Sequence, residues 1–414
     1  MRPLIVTPPP LSQKRSFIVT LGLLTAIAAL TVDVSLPAVP TMVDALATTL
    51  SRGQQIVGIF MAGMACGQIP AGLVSDRLGR LPVLFIGTAL FALGATVTTV
   101  ATDIHVILAA RMLQGFGAAS AVVLSRAIVR DISHGKESAR LMSLLTMIFT
   151  SVPVIAPTIG AFLVAHLHWR APFILIAVCG FLAIAGVRIF LVETHVPSAG
   201  EHPVRQLVAS FREFFSHRQS IFGLLLIVLL PAGFMSVITV SSALIVESYG
   251  FSVQAFGFIF AGSGVSILVG ASVNRVLVAR FDMLQMIAIG ITLMAISGSQ
   301  LLLIAWLDNA PLWWLWPCVC LFMFTIAILM PNATVIALDP LPKIAGVASS
   351  IIGTLSNICG ATGALLGATF YDGSIRHSVL LMASVATLVT IIFALRPVIA
   401  PGPMLHHPAE LARN

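Results

Sequence analysis

The chain has 414 residues, 58% of them hydrophobic and 9% charged, with a net charge of +7. Soluble proteins carry about 25% charged residues, so this composition excludes an ordinary soluble domain. The basic residues stand singly between apolar runs, which excludes a nucleic-acid face and makes the positive balance a matter of membrane orientation.

Residues 1–15, with Pro8-Pro9-Pro10, read as a short disordered tail. Lys14 and Arg15 precede an apolar stretch too long for a cleaved signal. Apolar windows then fall near 17–39, 54–75, 82–101, 104–126, 139–165 and 170–191. The widest polar interruption, 192–219, contains two prolines. Six more windows follow near 220–246, 253–278, 283–306, 311–334, 344–371 and 376–396. Each is long enough to cross a bilayer as a helix. The expected fold is an all-α membrane protein of twelve spans. A six-helix bundle over 16–191 and another over 220–397 flank a linker at 192–219, and 398–414 forms a tail. With an internal N-terminus, only Arg52, Arg170 and Arg376 lie on the outer side, while most other basic residues lie inside, so both termini are expected in the cytoplasm.

Asp33 lies within the first apolar window. A carboxylate at membrane depth costs about 2.5–3.5 kcal/mol on insertion scales and is a functional residue by default. It carries protons, or it merely pairs with a neighbouring helix or snorkels to the surface, although Asp is too short to snorkel far. With the first helix ending near Pro40, Asp33 is expected about 10 Å below the outer end. Arg111 in the fourth window is expected at about the same depth. Burial and a nearby guanidinium act on a carboxylate in opposite senses, and a group balanced between them can load and release a proton. Arg111 either serves that balance or ties helices together.

The loop after the second window reads GLVSDRLGRLP (72–82). Gly72 and Gly79 permit tight turns. Asp76 can face a helix N-terminus. Arg77 and Arg80 can bridge to an acid such as Asp131. Gly270-x-x-x-Asn274-Arg275 echoes this loop after the eighth window and points to duplicated halves. Pro153 and Pro157 interrupt the fifth window, with Gly160 beside them. Met61, Met64, Phe234, Met235, Phe256 and Phe260 supply flexible apolar surface for a substrate pocket, or core packing. Asn357 lines a cavity or bonds a neighbour. Glu247 reads as a wetted end charge. Trp306, Trp313, Trp314 and Trp316 fit an interfacial belt. The cysteines lack Cys-x-x-Cys spacing and read as packing thiols, with no metal site.

Several stretches resemble known transporter signatures. GLVSDRLGRLP resembles motif A of the major facilitator superfamily, with Leu81 where a second basic residue is usual. VDVSLPAVP (32–40) resembles the first-helix signature of the Bcr/CflA drug–proton antiporters, with Ser35 replacing a tyrosine of the pocket wall. AARMLQGFGAAS (109–120), with Arg111 and Gln114, resembles the family's fourth-helix motif, and VRDI (129–132) matches the end of that helix. APTIGAFL (156–163) resembles the antiporter motif. NATVIALDPLPKIAGVASSIIGT (332–354) resembles the family's tenth-to-eleventh-helix connection.

The resemblance implies the major facilitator fold and a proton-coupled exporter of small lipophilic antibacterials, bicyclomycin- or phenicol-type, in the bacterial inner membrane. It implies proton coupling at Asp33 and Arg111. The candidate substrate pocket takes Ser35 and Gln114 from those motifs, and Met61, Met64, Phe234, Met235, Phe256, Phe260 and Asn357 by residue type and position. The expected partners are small molecules, protons and lipid, and the expected state is a monomer. The chain has no nucleotide-binding loop, so the expected energy source is the proton gradient, with no cofactor and no enzymatic activity. The alternative is an exporter of a neutral metabolite such as a sugar or amino acid.

Overall fold

The computed structural model describes residues 11–133, 135–195, 203–307 and 310–400. The tail expected over 1–15 lies mostly outside the described residues, as does most of the one at 398–414.

Among the described residues, twelve helices are long and apolar enough to cross a membrane. They are α1 (Arg15–Ala45), α2 (Leu50–Leu78), α3 (Arg80–Val100), α4 (Ile104–Ile132), α5 (Arg140–His166) and α6 (Ala171–Phe190) in the first half. The second half holds α7 (Arg218–Ser248), α8 (Val253–Leu277), α9 (Met283–Trp306), α10 (Leu312–Leu338), α11 (Ala345–Phe370) and α12 (Arg376–Ala394). Short polar residues start several of them. Thr49 accepts from the Arg52 N–H, Asp103 from those of His105 and Val106, and Asp282 forms a capping box with Gln285. The first and last described residues, Leu11 and Ala400, fall on one face, called here the terminal face; the other is the distal face.

Helix α1 runs further than its prolines predict. A 3-10 turn at Leu36–Ala38 leads directly into Val39–Ala45. Pro37 and Pro40 each sit in the first turn of a helical piece, where the missing N–H is not needed. Asp33 therefore lies twelve residues, about 18 Å of helix, from the distal end at Ala45, deeper than expected. Arg111 lies about 10 Å from the start of α4, so the two do not share one depth measured along their helices.

The halves repeat one packing scheme. Helix α1 packs on α5 and α6, as α7 packs on α11 and α12. Helix α4 packs on α2 and α3, as α10 packs on α8 and α9, and α3 meets α6 as α9 meets α12. The halves meet through α2 against α11 and α8 against α5, two contacts that exchange when the halves are swapped. This is a duplicated six-helix unit with a pseudo-twofold axis. A further helix, Pro203–Ser216, lies in the polar linker, buries Phe214 and packs against α7 and α11.

Trp306 and Trp313 are exposed, as a belt requires, but Trp316 is buried and donates its Nε1–H to the Ile259 carbonyl at 2.8 Å. It belongs to the core of the second half: Trp313 stands in the first turn of α10 at the membrane edge, and Trp316, one turn deeper, packs against α8.

Candidate coupling and gating site

Asp33 is buried, and its carboxylate has no hydrogen bond or ion pair among the described residues. Helix α5 comes close beside it, because Gly160 packs against the Val34 carbonyl and the Pro37 ring where a side chain would collide. Ser35 is also buried, and its hydroxyl bonds back to the carbonyls of Thr31 and Val32 at 2.9 Å.

Arg111 is 1% exposed. Its Nη1 donates to Gln114 Oε1 at 3.1 Å, and its guanidinium stacks 5.0 Å from the Phe173 ring on α6. Its Nε and Nη2, and the Gln114 Nε2, have no partner among the described residues. Arg111 and Asp33 form no ion pair, so the first half holds an acid and a half-satisfied base separately. Unpaired buried donors are costly, and they make the guanidinium ready for a further acceptor.

The stretch expected as a loop over 72–82 is mostly helical: α2 runs through Gly72 to Leu78, α3 starts at Arg80, and Gly79 alone makes the turn, so the bonded groups sit at the α2–α3 junction. Arg80 Nη1 bonds Asp76 Oδ1 at 2.5 Å and Ser75 Oγ at 2.7 Å, and its Nε bonds Asp131 Oδ2 at 3.1 Å. Arg80 thus bridges α2 and α4 as expected. Arg77, the other candidate, forms no ion pair among the described residues; Arg80 occupies both carboxylates. Gly79, between them, has φ +93° and ends α2. Sequence reasoning missed Glu193, just beyond α6. Its carboxylate accepts from the backbone N–H groups of Arg80 at 2.8 Å and Leu81 at 2.9 Å, capping α3. Partial burial pushes this carboxyl up, but N–H groups of Leu81, Arg80, His195 and Thr194 outweigh it and hold Glu193 below its ordinary value. The only trace in the sequence is a lone acid in the polar run after the sixth window. In the second half the equivalent tie is uncharged: Asn332 Nδ2 donates to Asn274 Oδ1 at 2.7 Å.

The antiporter-like segment of α5 faces the second half. Pro153 packs against Gly264 of α8, and Thr158 donates to the Gly257 carbonyl at 3.2 Å. On the other seam Thr354 of α11 donates to Gln68 of α2 at 3.2 Å.

The pocket candidates fall in three places. Met64 and Gln114 are buried against α4 and α3 in the first half. Phe256 and Phe260 are buried in the second half, 5.5 Å apart, with Trp316 6.0 Å from Phe260. Met61 meets Gly360 in the seam, and Phe234, Met235 and Asn357 are partly buried on α7 and α11. A cavity of about 240 Å³ lies instead at the terminal face, lined by Asp76, Arg80, Arg130, Leu207, Gly346 and Ser350. None of the pocket candidates lines it; it belongs to the gating loop.

Two bundles of six helices, a shared packing scheme and this charged loop define a transporter of the two-bundle class. The chain matches the sequence profile of the Major Facilitator Superfamily over residues 21–364 and belongs to that family. It is 30% identical over 359 residues to the bicyclomycin resistance protein homolog of Haemophilus influenzae, covering 85% of this chain and 89% of that one. It is 27% identical over 344 residues to multidrug resistance protein D of Escherichia coli, covering 83% and 86%. Over 399 residues it is 29% identical to multidrug resistance protein MdtL of E. coli, covering 91% and 95%. These names agree with the drug-export side of the resemblance of its motifs. Among solved structures, a D-xylose-proton symporter superposes with TM-score 0.74 at 16% identity, over 92% of this chain and 97% of that one.

Proposed function

We propose that this protein exports small lipophilic antibacterials, of bicyclomycin or phenicol type, in exchange for protons. It works in the bacterial inner membrane with its terminal face in the cytoplasm. The observation that carries the reading is Asp33, a buried carboxylate deep in a span with no hydrogen bond or ion pair among the described residues. An acid so placed is stable when neutral and costly when charged, so its protonation biases the state in which it sits. A proton from outside neutralises Asp33 and favours opening to the cytoplasm. Drug entering from the cytoplasm or inner leaflet displaces the proton, and the loaded transporter opens outward. Arg111, whose Nε and Nη2 are unused donors, can donate to the carboxylate or to an acceptor on the substrate during that exchange. The proton gradient is the energy source.

The test is drug uptake into inverted membrane vesicles under an imposed pH gradient, acid inside. Uptake that collapses with the gradient supports exchange. Uptake of drug indifferent to the gradient removes proton coupling, and no drug uptake at all removes the substrate class.

A further inference from the structure

The distal seam, where α1, α2 and α7 meet, holds buried polar groups that the transport reading does not use. The distal piece of α1, Val39–Ala45, touches α7, and Gly53 of α2 lies against Val43 and Val39. Gln54, Met61 and Gln68 recur every seven residues and so share one face of α2. Two of them reach the second half. Met61 meets Gly360 of α11 beside Pro231 of α7, and Gln68 bonds Thr354. Gln54 is the third, two turns closer to the distal face. Helix α7 runs distally from Pro231, so Thr239 comes to about the level of Gln54 and Ser242 lies about one turn beyond it, on the same face of α7 as Pro231.

Gln54 is fully buried, and neither its Nε2 nor its Oε1 has a partner among the described residues. Thr239 and Ser242 are each 1% exposed, and their hydroxyls are also unpartnered. On the same helix Ser236 and Ser241 bond the carbonyls of Gly233 and Ile238, while Ser220, near its terminal-face end, is buried and unpartnered too. At the rim, α7 ends in a π-helical turn, Leu244–Ser248, which carries Glu247. Glu247 lies within electrostatic reach of Asp44 on the first half. It also acts on Tyr371, which is near Asp372 and Tyr249, and Asp372 is 3.7 Å from His377. Like charges thus face each other at the rim, but both carboxylates are exposed, so water and salt screen their repulsion and it adds little beside the buried groups.

We propose that the distal seam is a metastable latch: Gln54, Thr239 and Ser242, with Asp44 and Glu247 at its rim, hold the closed seam near its opening point. Closing it strips water from an amide and two hydroxyls and gives them no protein partner. Opening returns all three to water and separates the carboxylates. Polar groups satisfied in one state and orphaned in the other shift the balance towards the first. An apolar residue of the same size loses nothing on closing, so it locks the latch. The inference rests on the family's alternation between two openings, and not on the identity of substrate or ion.

The test places spin labels at Thr102→Cys and Gln254→Cys, both exposed on the distal face of opposite halves, with the five native cysteines replaced. Distances are measured in lipid without drug or gradient, which separates this test from that of the proposed function. Gln54→Leu should shift the closed-to-open ratio towards the short distance by about tenfold, equivalent to about 1.4 kcal/mol. Ser242→Ala, a smaller change that guards against misfolding of the first variant, should shift it severalfold the same way. Glu247→Gln should add little to either. An unchanged ratio in Ser242→Ala and Gln54→Leu, or a shift towards the long distance, overturns the latch and makes these side chains ordinary hydrated packing.

Discussion

The carboxylate of Glu193 occupies the space that a side chain on Gly79 would need. A Cβ at Gly79 would lie 2.6 Å from Glu193 Oε2, at a residue whose φ of +93° already favours glycine. The motif glycine is therefore required twice, by its backbone angle and by the acid that caps α3. Gly79→Ala should destabilise the α2–α3 loop by about 1–3 kcal/mol, combining strain and a displaced cap. Thermal unfolding in detergent would read it. A melting point equal to wild type would remove the contact from the account.

Glu193 also has a pH signature. Its folded value is lowered, so its contribution is complete above the ordinary glutamate value of 4.5 and is lost as pH falls below that towards the lowered value. Glu193→Gln should therefore narrow the melting-point gap to wild type between pH 6 and the acid limit. A gap that stays constant with pH would assign the loss to packing alone.

Arg80 holds two carboxylates at once, and Asp76 is the more exposed of them, with 56% of its side chain accessible. An exposed pair contributes about 0.2–1 kcal/mol. Asp76→Asn should lower turnover about two- to fivefold for every substrate, with affinity little changed, because the loop lies far from the middle of the bundle. Transport assays with two chemically unlike drugs would check it. Loss of one drug alone would place Asp76 in recognition.

Arg111 is bonded by Gln114 and stacked on Phe173. Lysine can replace the charge but not the planar fork that serves both contacts. Arg111→Lys should reduce coupled transport about tenfold or more, and Gln114→Leu should weaken it less. Full transport in Arg111→Lys would leave only a counter-charge at this position.

The fold was legible because apolar windows and single basic residues mark spans and sides directly. The six-plus-six division reappears as the repeated packing of α1–α6 in α7–α12. Where α1 ends was not legible, because a proline stops a helix in its interior but starts one in its first turn, and sequence does not separate the two for Pro37 and Pro40. Arg80, and not Arg77, took the acids, since the turn at Gly79 decides which arginine faces α4. Glu193 was hidden because its partners are backbone N–H groups, which carry no sequence signature. The pocket candidates were chosen by residue type; their distribution between two cores and a seam depends on helix rotation, which a span-length pattern does not specify.

Asp33 carries the central claim, and proton release on drug addition tests it most directly. Purified wild-type protein in weakly buffered solution should release protons when a transported drug is added, as drug displaces the proton from the buried carboxylate. Asp33→Asn should fold with a similar melting point, still bind drug, and release none. Proton release from Asp33→Asn at the wild-type ratio of protons to bound drug would contradict the account.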